Sequence, residues 1–299
     1  ARLCRNDAAI RRKPDSPAPD LRTKALRPLK TALATLVALT LATHVAVPAA
    51  LARDALLGHR ASYAISLKSA GWGAGITGFN GKLVVEFSNA CDGYTLNQRL
   101  VSQMTNDEGQ VAMGDLWLTS WESVRGETFR FTLSQDFNGA SIDKFSGTAF
   151  TATDGARPRI EYSEGKIASA ALPADAIFPT AYLIEVLEAA KAGQTTLARK
   201  VFDGSGEGET YQAFAVIGRM KAPGTELPQV EGASVLAGLA SWPVTFSYYK
   251  LGGVEDVPDY EASFRLFANG VSTDLVLDFG DYAVNGTLEQ LDTLSDPPC

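Results

Sequence analysis

The sequence predicts an all-β protein with a single helix, folded as a strongly curved antiparallel sheet or open barrel. Polar and apolar residues alternate with a period of two through most of the chain, and turn-forming pairs such as Asn138-Gly139 separate these stretches. Only one segment repeats apolar residues at helical spacing. A flat sheet of a dozen or more strands would expose long edges, so strong curvature is expected.

The predicted strands follow one another in antiparallel meander order. The first is residues 62–68, where Tyr63, Ile65 and Leu67 form the apolar face. The others are residues 82–88, 94–104, 111–121, 128–137, 140–151, 196–202, 210–220, 243–249, 260–268, 272–279 and 282–291. Turns are predicted at residues 79–81, 138–139, 154–155, 269–270 and 285–286, where a glycine tolerates positive φ.

The helix is predicted at residues 180–192. Pro179 before it and Gly193 after it are start and stop signals. Its apolar positions are Leu183, Ile184, Leu187 and Ala190. A helix lying against the concave face of the sheet would fill that face.

Residues 1–52 have the pattern of a leader that ends in a signal peptide, residues 22–52. A basic stretch, residues 22–30, precedes an apolar stretch, residues 31–47, and Ala50-Leu51-Ala52 fits the small-x-small rule for cleavage after Ala52. A membrane anchor is the alternative, but the apolar stretch is at or below the ~18 residues that a span needs. The predicted product is one soluble domain, residues 53–299, outside the cytoplasm.

Charge excludes some partners of that domain. Without the leader the chain has 18 basic and 31 acidic residues, a formal charge of −13. Nucleic-acid affinity depends mainly on neutralising phosphates, so a nucleic-acid partner is not expected. An anionic membrane surface is disfavoured for the same reason.

The two cysteines that remain after cleavage, Cys91 and Cys299, are predicted to form a disulfide, because thiols in an oxidising compartment usually pair. The bond would tie down the C-terminus across 208 positions, which the chain-entropy model values at about 5 kcal/mol. A redox-active pair is the alternative, but it normally occurs as Cys-x-x-Cys, which is absent here.

No catalytic, metal or cofactor site is predicted. His59 is the only histidine after the leader, too few for a Ser-His-Asp or multi-histidine site, and it is interpreted as a hydrogen-bonding residue at a strand end. The glycine-rich residues 71–82 lack the spacing of a phosphate loop and are interpreted as a hairpin loop with Trp72 at its tip. Residues 203–209 begin like a calcium loop but lack the distal glutamate, which favours an acidic turn.

Several aromatic residues are candidates either for an apolar cavity or for the core. Trp and Tyr in strands are more often core residues than ligand contacts, so both interpretations stay open. The residues are Trp117, Trp121, Trp242, Tyr248 and Tyr249.

Short strings in a fixed order along residues 55–299 resemble the EipB-like family of alphaproteobacterial cell-envelope integrity proteins. They are His59-Arg60-Ala61-Ser62-Tyr63, Asn89-Ala90-Cys91-Asp92-Gly93-Tyr94, Leu172-Pro173, Phe178-Pro179-Thr180, Asp203-Gly204-Ser205, Ser241-Trp242-Pro243-Val244, residues 275–282 and Pro297-Pro298-Cys299. Tyr182 departs from the family pattern, which has a histidine after Phe-Pro-Thr, so no role is transferred to that position.

The resemblance implies a periplasmic β-spiral of about fourteen strands with one helix, a disulfide matching Cys91 and Cys299, and a shape similar to the lipoprotein carriers LolA and LolB. It implies a role in envelope integrity and brings no catalytic residue. The leading hypothesis is a non-catalytic periplasmic protein that binds a protein partner or a lipid-like ligand in its concave face. The alternatives are an envelope hydrolase with paired carboxylates and a purely structural scaffold.

Overall fold

The computed structural model describes residues 56–152, 155–253 and 257–295. The predicted leader with its cleavage position after Ala52, and the predicted disulfide partner Cys299, lie outside the described residues. The leader, the domain boundary at residue 53 and the disulfide therefore stay predictions.

Fifteen strands, one α-helix and one 3-10 turn make up the described fold. In chain order they are β1 (His59–Ala70), β2 (Ile76–Asn89), β3 (Gly93–Asn106), β4 (Val111–Ser123), β5 (Thr128–Phe137), β6 (Ala140–Phe150), β7 (Arg159–Glu164), β8 (Ser169–Ala171), β9 (Ala176–Ile177), α1 (Pro179–Lys191), β10 (Thr196–Val201), β11 (Tyr211–Ile217), η1 (Ala233–Leu236), β12 (Ser241–Lys250), β13 (Tyr260–Phe267), β14 (Ser272–Asp278) and β15 (Tyr282–Thr293).

All fifteen strands belong to one sheet in the order β8-β7-β6-β5-β4-β3-β2-β1-β15-β14-β13-β12-β11-β10-β9. Neighbours pair antiparallel except β9 and β10, which are parallel and are connected through α1. The predicted fold class, all-β with one helix in an antiparallel curved sheet, is confirmed.

The sheet is curled because its two edge strands are close in sequence. Four residues, 172–175, separate β8 at one edge from β9 at the other. Five peptide steps from Ala171 to Ala176 reach at most about 18 Å, so the edges must approach each other. We call the place where the two edges approach each other the seam. A core cluster crosses the seam: Phe129 and Phe131 of β5 pack with Phe178, which precedes α1, and with Phe202, which follows β10.

Helix α1 lies against the inner face of the sheet, on the side of the seam formed by β10 to β13. Its buried residues Tyr182, Val186 and Ala190 join the core formed by β10 to β13. A third cluster lies between β1, β15 and η1. The predicted position of the helix on the concave face agrees with this packing.

Two predicted turns are wrong, because their glycines lie inside strands. Gly81 lies within β2, where an added Cβ would meet the Val101 carbonyl oxygen at 2.6 Å. Gly286 lies within β15, where a Cβ would meet the Leu275 side chain at 3.0 Å. Both glycines permit close packing rather than a change of chain direction.

The short strands β7, β8 and β9 are not among the strands predicted from the sequence. β8 and β9 have three and two residues, too few for an alternating pattern to stand out, and β7 has six. The hairpin loop predicted at residues 71–82 is shorter in the structure: it comprises residues 71–75 between β1 and β2, because residues 76–82 belong to β2. Trp72 in this loop is fully exposed.

Candidate functional site

The curled sheet forms a partly open cavity of about 600 Å³. One wall is formed by aliphatic residues of β2, β3 and β4, which are Leu83, Val85, Leu96, Leu100, Leu116 and Leu118. A second wall is formed by residues of β12, β13 and β14, which are Phe246, Ala262, Phe264, Leu275 and Leu277. The first turn of α1 contributes Pro179, Thr180, Tyr182 and Leu183. The lining is predominantly apolar.

Strand alternation explains why these residues face inward. Leu96, Gln98 and Leu100 are spaced two apart on β3, and their side chains lie on the inner face, whereas Arg99 and Val101 on either side of Leu100 are exposed. The inner leucines of β3 and β4 are only partly buried, unlike the phenylalanines of the seam. The wall therefore presents apolar surface that the protein's own core does not cover.

Asp203 lines the cavity and is the only carboxylate among the described lining residues. Its Oδ1 accepts hydrogen bonds from the Ser205 amide at 2.9 Å and the Ser205 hydroxyl at 2.7 Å. Its Oδ2 accepts one from the Tyr260 hydroxyl at 2.8 Å. These bonds orient a half-buried carboxylate at the cavity surface.

Three tyrosine rings lie near this carboxylate and also line the cavity. Tyr248 and Tyr260 are stacked with ring centroids 4.4 Å apart, and Tyr211 lies nearly perpendicular to both, at 6.0 and 5.9 Å. Burial is the main cause that raises the pKa of Tyr248 and Tyr260, and the charge of Asp203 raises both further. We call Asp203, Ser205, Tyr211, Tyr248 and Tyr260 the Asp203–tyrosine cluster.

His59 also lines the cavity, at the start of β1. Its Nδ1 lies 2.7 Å from the Leu57 carbonyl oxygen, to which it donates, in agreement with the interpretation as a strand-end hydrogen-bonding residue. Burial lowers the pKa of His59, although the hydrogen bond to Leu57 opposes this. The imidazole is therefore neutral at neutral pH.

Glu122 at the end of β4 positions the helix. It is 2% exposed, and its two carboxylate oxygens accept hydrogen bonds from the Thr180 amide at 2.7 Å and the Ala181 amide at 2.9 Å. These amides are unpaired donors of the first helical turn. Burial raises the pKa of the Glu122 carboxyl to about 7, although the amide hydrogen bonds lower it.

Tyr182, on the same turn of α1, lines the cavity and is 1% exposed. Its ring packs against Phe246 with centroids 5.1 Å apart. Its hydroxyl oxygen is buried and has no hydrogen-bond partner within the part of the chain that the structure describes. Tyr182 therefore places an unsatisfied hydroxyl beside the cavity.

The structure separates the five aromatic candidates. Tyr248 lines the cavity and Trp242 is buried in the core. Trp117 is 51% exposed on the outer face, with the Arg99 guanidinium 5.5 Å from its ring, and Trp121 is covered by Arg130 at 4.5 Å. Tyr249 is half-buried and is not part of the lining.

Cys91 lies exposed in the turn between β2 and β3, where the C-terminal residue Cys299 would have to reach it. From the sequence, Asp203 was predicted to begin an acidic turn and to belong to a string that resembles the EipB-like family, Asp203-Gly204-Ser205, but it was not connected with Tyr211 and Tyr260. The sequence signal for the Asp203–tyrosine cluster was weak, because Asp203 and Tyr260 are 57 positions apart.

Two further findings bear on the kinds of site considered above. Over the described ranges, no group of three or more His, Cys, Asp or Glu side chains is arranged to hold a metal ion. No helix within those ranges has both the length and the apolar character needed to cross a membrane.

Comparison with known proteins identifies relatives over most of the chain. The cell envelope integrity protein EipB of Brucella abortus (strain 2308) is 32% identical over 240 residues, which are 79% of this chain and 84% of that protein. The crystal structure of a β-barrel-like protein with a domain of unknown function, DUF1849, also from Brucella abortus, superposes with a TM-score of 0.74 at 30% identity. It covers 81% of this chain and 99% of that one. The family model described as EipB-like matches residues 50–295, and the chain therefore belongs to the EipB-like family.

Proposed function

We propose that this protein is a non-catalytic periplasmic factor that supports cell-envelope integrity by holding a lipid-like ligand in the concave face of its sheet. The observation that carries the proposal is the apolar cavity of about 600 Å³. The name of the Brucella relative supports the envelope role. The predicted signal peptide supports the periplasmic location.

The size and chemistry of the cavity favour a ligand with an apolar chain. Its volume is within the range of about 300–1,000 Å³ that is usual for small-molecule sites. Burying apolar surface is favourable by about 25 cal/mol per Å². A chain lying along the inner faces of β2 to β4 would cover leucine side chains that the protein leaves partly exposed.

The alternatives receive less support. A hydrolase with paired carboxylates needs two facing carboxyl groups, and the described lining residues include one, Asp203. A purely structural scaffold would not need a cavity of this volume. A protein partner in the concave face remains an outcome of the test below.

The test is native mass spectrometry with lipid extraction on the exported protein, produced from the full chain in a Gram-negative host and purified without detergent. We expect a co-purifying species of defined mass that contains an acyl chain. Two neighbouring residues of β3 supply a matched pair of variants, Leu100→Gln on the cavity wall and Val101→Gln on the outer face, where Val101 is 38% exposed.

Leu100→Gln should lower the bound fraction several-fold, because it places an amide in the apolar wall, and Val101→Gln should not change it. If the protein carries no such species and takes up no added fatty acid or phospholipid, the ligand hypothesis is wrong. The search then turns to protein partners.

A further inference from the structure

We propose that the cavity selects amphiphiles with a positively charged, amine-type head group, which the Asp203–tyrosine cluster binds. This inference rests on the proposed function, because it names the class of ligand for the same cavity. It is carried by the sign of the charge in the cavity and by the arrangement of the tyrosine rings.

Asp203 is the one side chain of the described lining that carries a formal charge at neutral pH. The described part of the lining includes no lysine or arginine, and His59 is neutral. Asp203 is also absent from the ion pairs that join described residues. A carboxylate or phosphate head group would meet a negative charge without a compensating cation, whereas an ammonium group would supply the missing counter-charge.

The neighbouring carboxylate Glu209 differs from Asp203 because it has a cationic partner within the protein. It accepts a hydrogen bond from the Tyr211 hydroxyl at 2.9 Å and is paired with the Lys250 ammonium group. Glu209 is therefore neutralised within the protein and does not line the cavity. Among the described residues Asp203 has only neutral donors, namely the Ser205 amide and hydroxyl and the Tyr260 hydroxyl, so no described cation compensates its charge.

The tyrosine rings fit the same head group. Cations bind against electron-rich aromatic faces, and quaternary ammonium groups are commonly held by several aromatic rings. Tyr248 and Tyr260 are stacked, Tyr211 is perpendicular to both, and all three line the cavity beside Asp203. The cluster thus adjoins the apolar walls, which would hold the alkyl chain.

The experiment compares twelve-carbon amphiphiles that differ only in head group, each below its micelle concentration at pH 7.5. Dodecyltrimethylammonium, dodecylammonium, dodecanol and dodecanoate compete with a neutral apolar fluorophore for the exported protein. We expect both cations to displace it at concentrations about tenfold lower than dodecanoate, with dodecanol between them. Equal or tighter binding of dodecanoate would overturn the inference.

Two variants distinguish the effect of the charge in the cavity on binding from the effect of the protein's overall negative charge. Asp203→Asn should reduce the preference for the cations over dodecanoate to about twofold or less. Asp115→Asn, which removes the same charge from an exposed pair with Arg99, should leave the preference unchanged. An equal loss in both variants would mean that general attraction to an acidic protein explains the preference.

The series also distinguishes the inference from the proposed function. Displacement by all four compounds without a head-group preference would refute the inference and keep the lipid-like ligand. Failure of the fluorophore and of every amphiphile to bind would refute the proposed function itself. The wild-type series decides the inference even if Asp203→Asn does not fold.

Discussion

At the scale of single residues, two buried tyrosines differ in how their hydroxyl groups are satisfied. The Tyr63 hydroxyl donates to the Ser272 carbonyl oxygen at 2.7 Å. The Tyr182 hydroxyl is buried and has no partner among the described residues. A buried polar atom without a hydrogen bond loses its interaction with water and gains nothing in exchange.

We therefore expect Tyr182→Phe to raise the free energy of unfolding by about 1 kcal/mol and Tyr63→Phe to lower it by about 1 kcal/mol. Both substitutions remove one oxygen from a buried ring, so each is the control for the other. Urea denaturation of the two variants and the wild type measures the difference. Equal destabilisation would show that the Tyr182 hydroxyl has a favourable interaction.

At the scale of elements, α1 depends on a carboxylate from a distant strand. Glu122 of β4 caps the helix, although 58 positions separate it from Thr180. Phe178, the residue at the cap position, provides no side-chain cap. No local capping signal in the sequence could identify Glu122, because the contact exists only once the sheet has curled.

This contact predicts a pH dependence of stability. The folded-state pKa of Glu122 is raised from 4.5 to about 7, so folding favours the protonated carboxyl. The contribution of Glu122 to the free energy of unfolding is therefore highest below about pH 4.5. It is lost as the pH rises to about 7, by up to about 3 kcal/mol.

Denaturant melts between pH 5 and pH 8 check this, with Glu122→Gln as the variant that cannot titrate. The wild type should lose stability relative to Glu122→Gln as the pH rises. Glu86→Gln, at an exposed ion pair with Arg60, should keep a constant difference from the wild type. A Glu122→Gln difference that does not change with pH would contradict the assignment.

At the scale of the whole molecule, packing at the seam between the β8 edge and the β9 edge stabilises the curled sheet. Phe178 is fully buried there and stacks on Phe129 with ring centroids 5.1 Å apart. Since β8 and β9 are edge strands that do not pair with each other, side-chain packing joins the two edges.

Phe178→Ala should therefore cost about 3–5 kcal/mol and increase hydrogen exchange at β7 and β8 more than at β1 and β2. Phe214→Ala on the outer face of β11, where the ring is 38% exposed, is the matched control and should cost much less. Uniform protection loss throughout the sheet would argue against a seam that opens locally.

The predicted disulfide acts on the whole chain because it would join Cys91 to the C-terminal residue. Cys91→Ser should lower the melting temperature under oxidising conditions without abolishing the fold, because loss of the cross-link makes the unfolded state less constrained. Thermal melts with and without reductant measure it. Melting at the wild-type temperature would mean that no stabilising bond forms.

Local patterns were sufficient for the fold class and for most strands, because alternation on long strands such as β3 and helical spacing on α1 depend only on neighbours along the chain. They failed at Gly81 and Gly286, where the same residue type that makes turns instead permits close packing. They also missed β7, together with β8 and β9, which at three and two residues are too short to show a period.

The cavity and its charge depended on the tertiary fold. Asp203, Tyr211, Tyr248 and Tyr260 are ordinary residues in sequence. They meet because β11, β12 and β13 pair side by side, with Tyr248 opposite Tyr260, and because the loop before β11 lies beside them. The curl of the sheet then places them in one cavity with the leucines of β3 and β4. The same curl places Glu122 under the helix and leaves the leucines of β3 and β4 partly uncovered. Alternation determines which side chains share a face, but curvature determines what that face encloses.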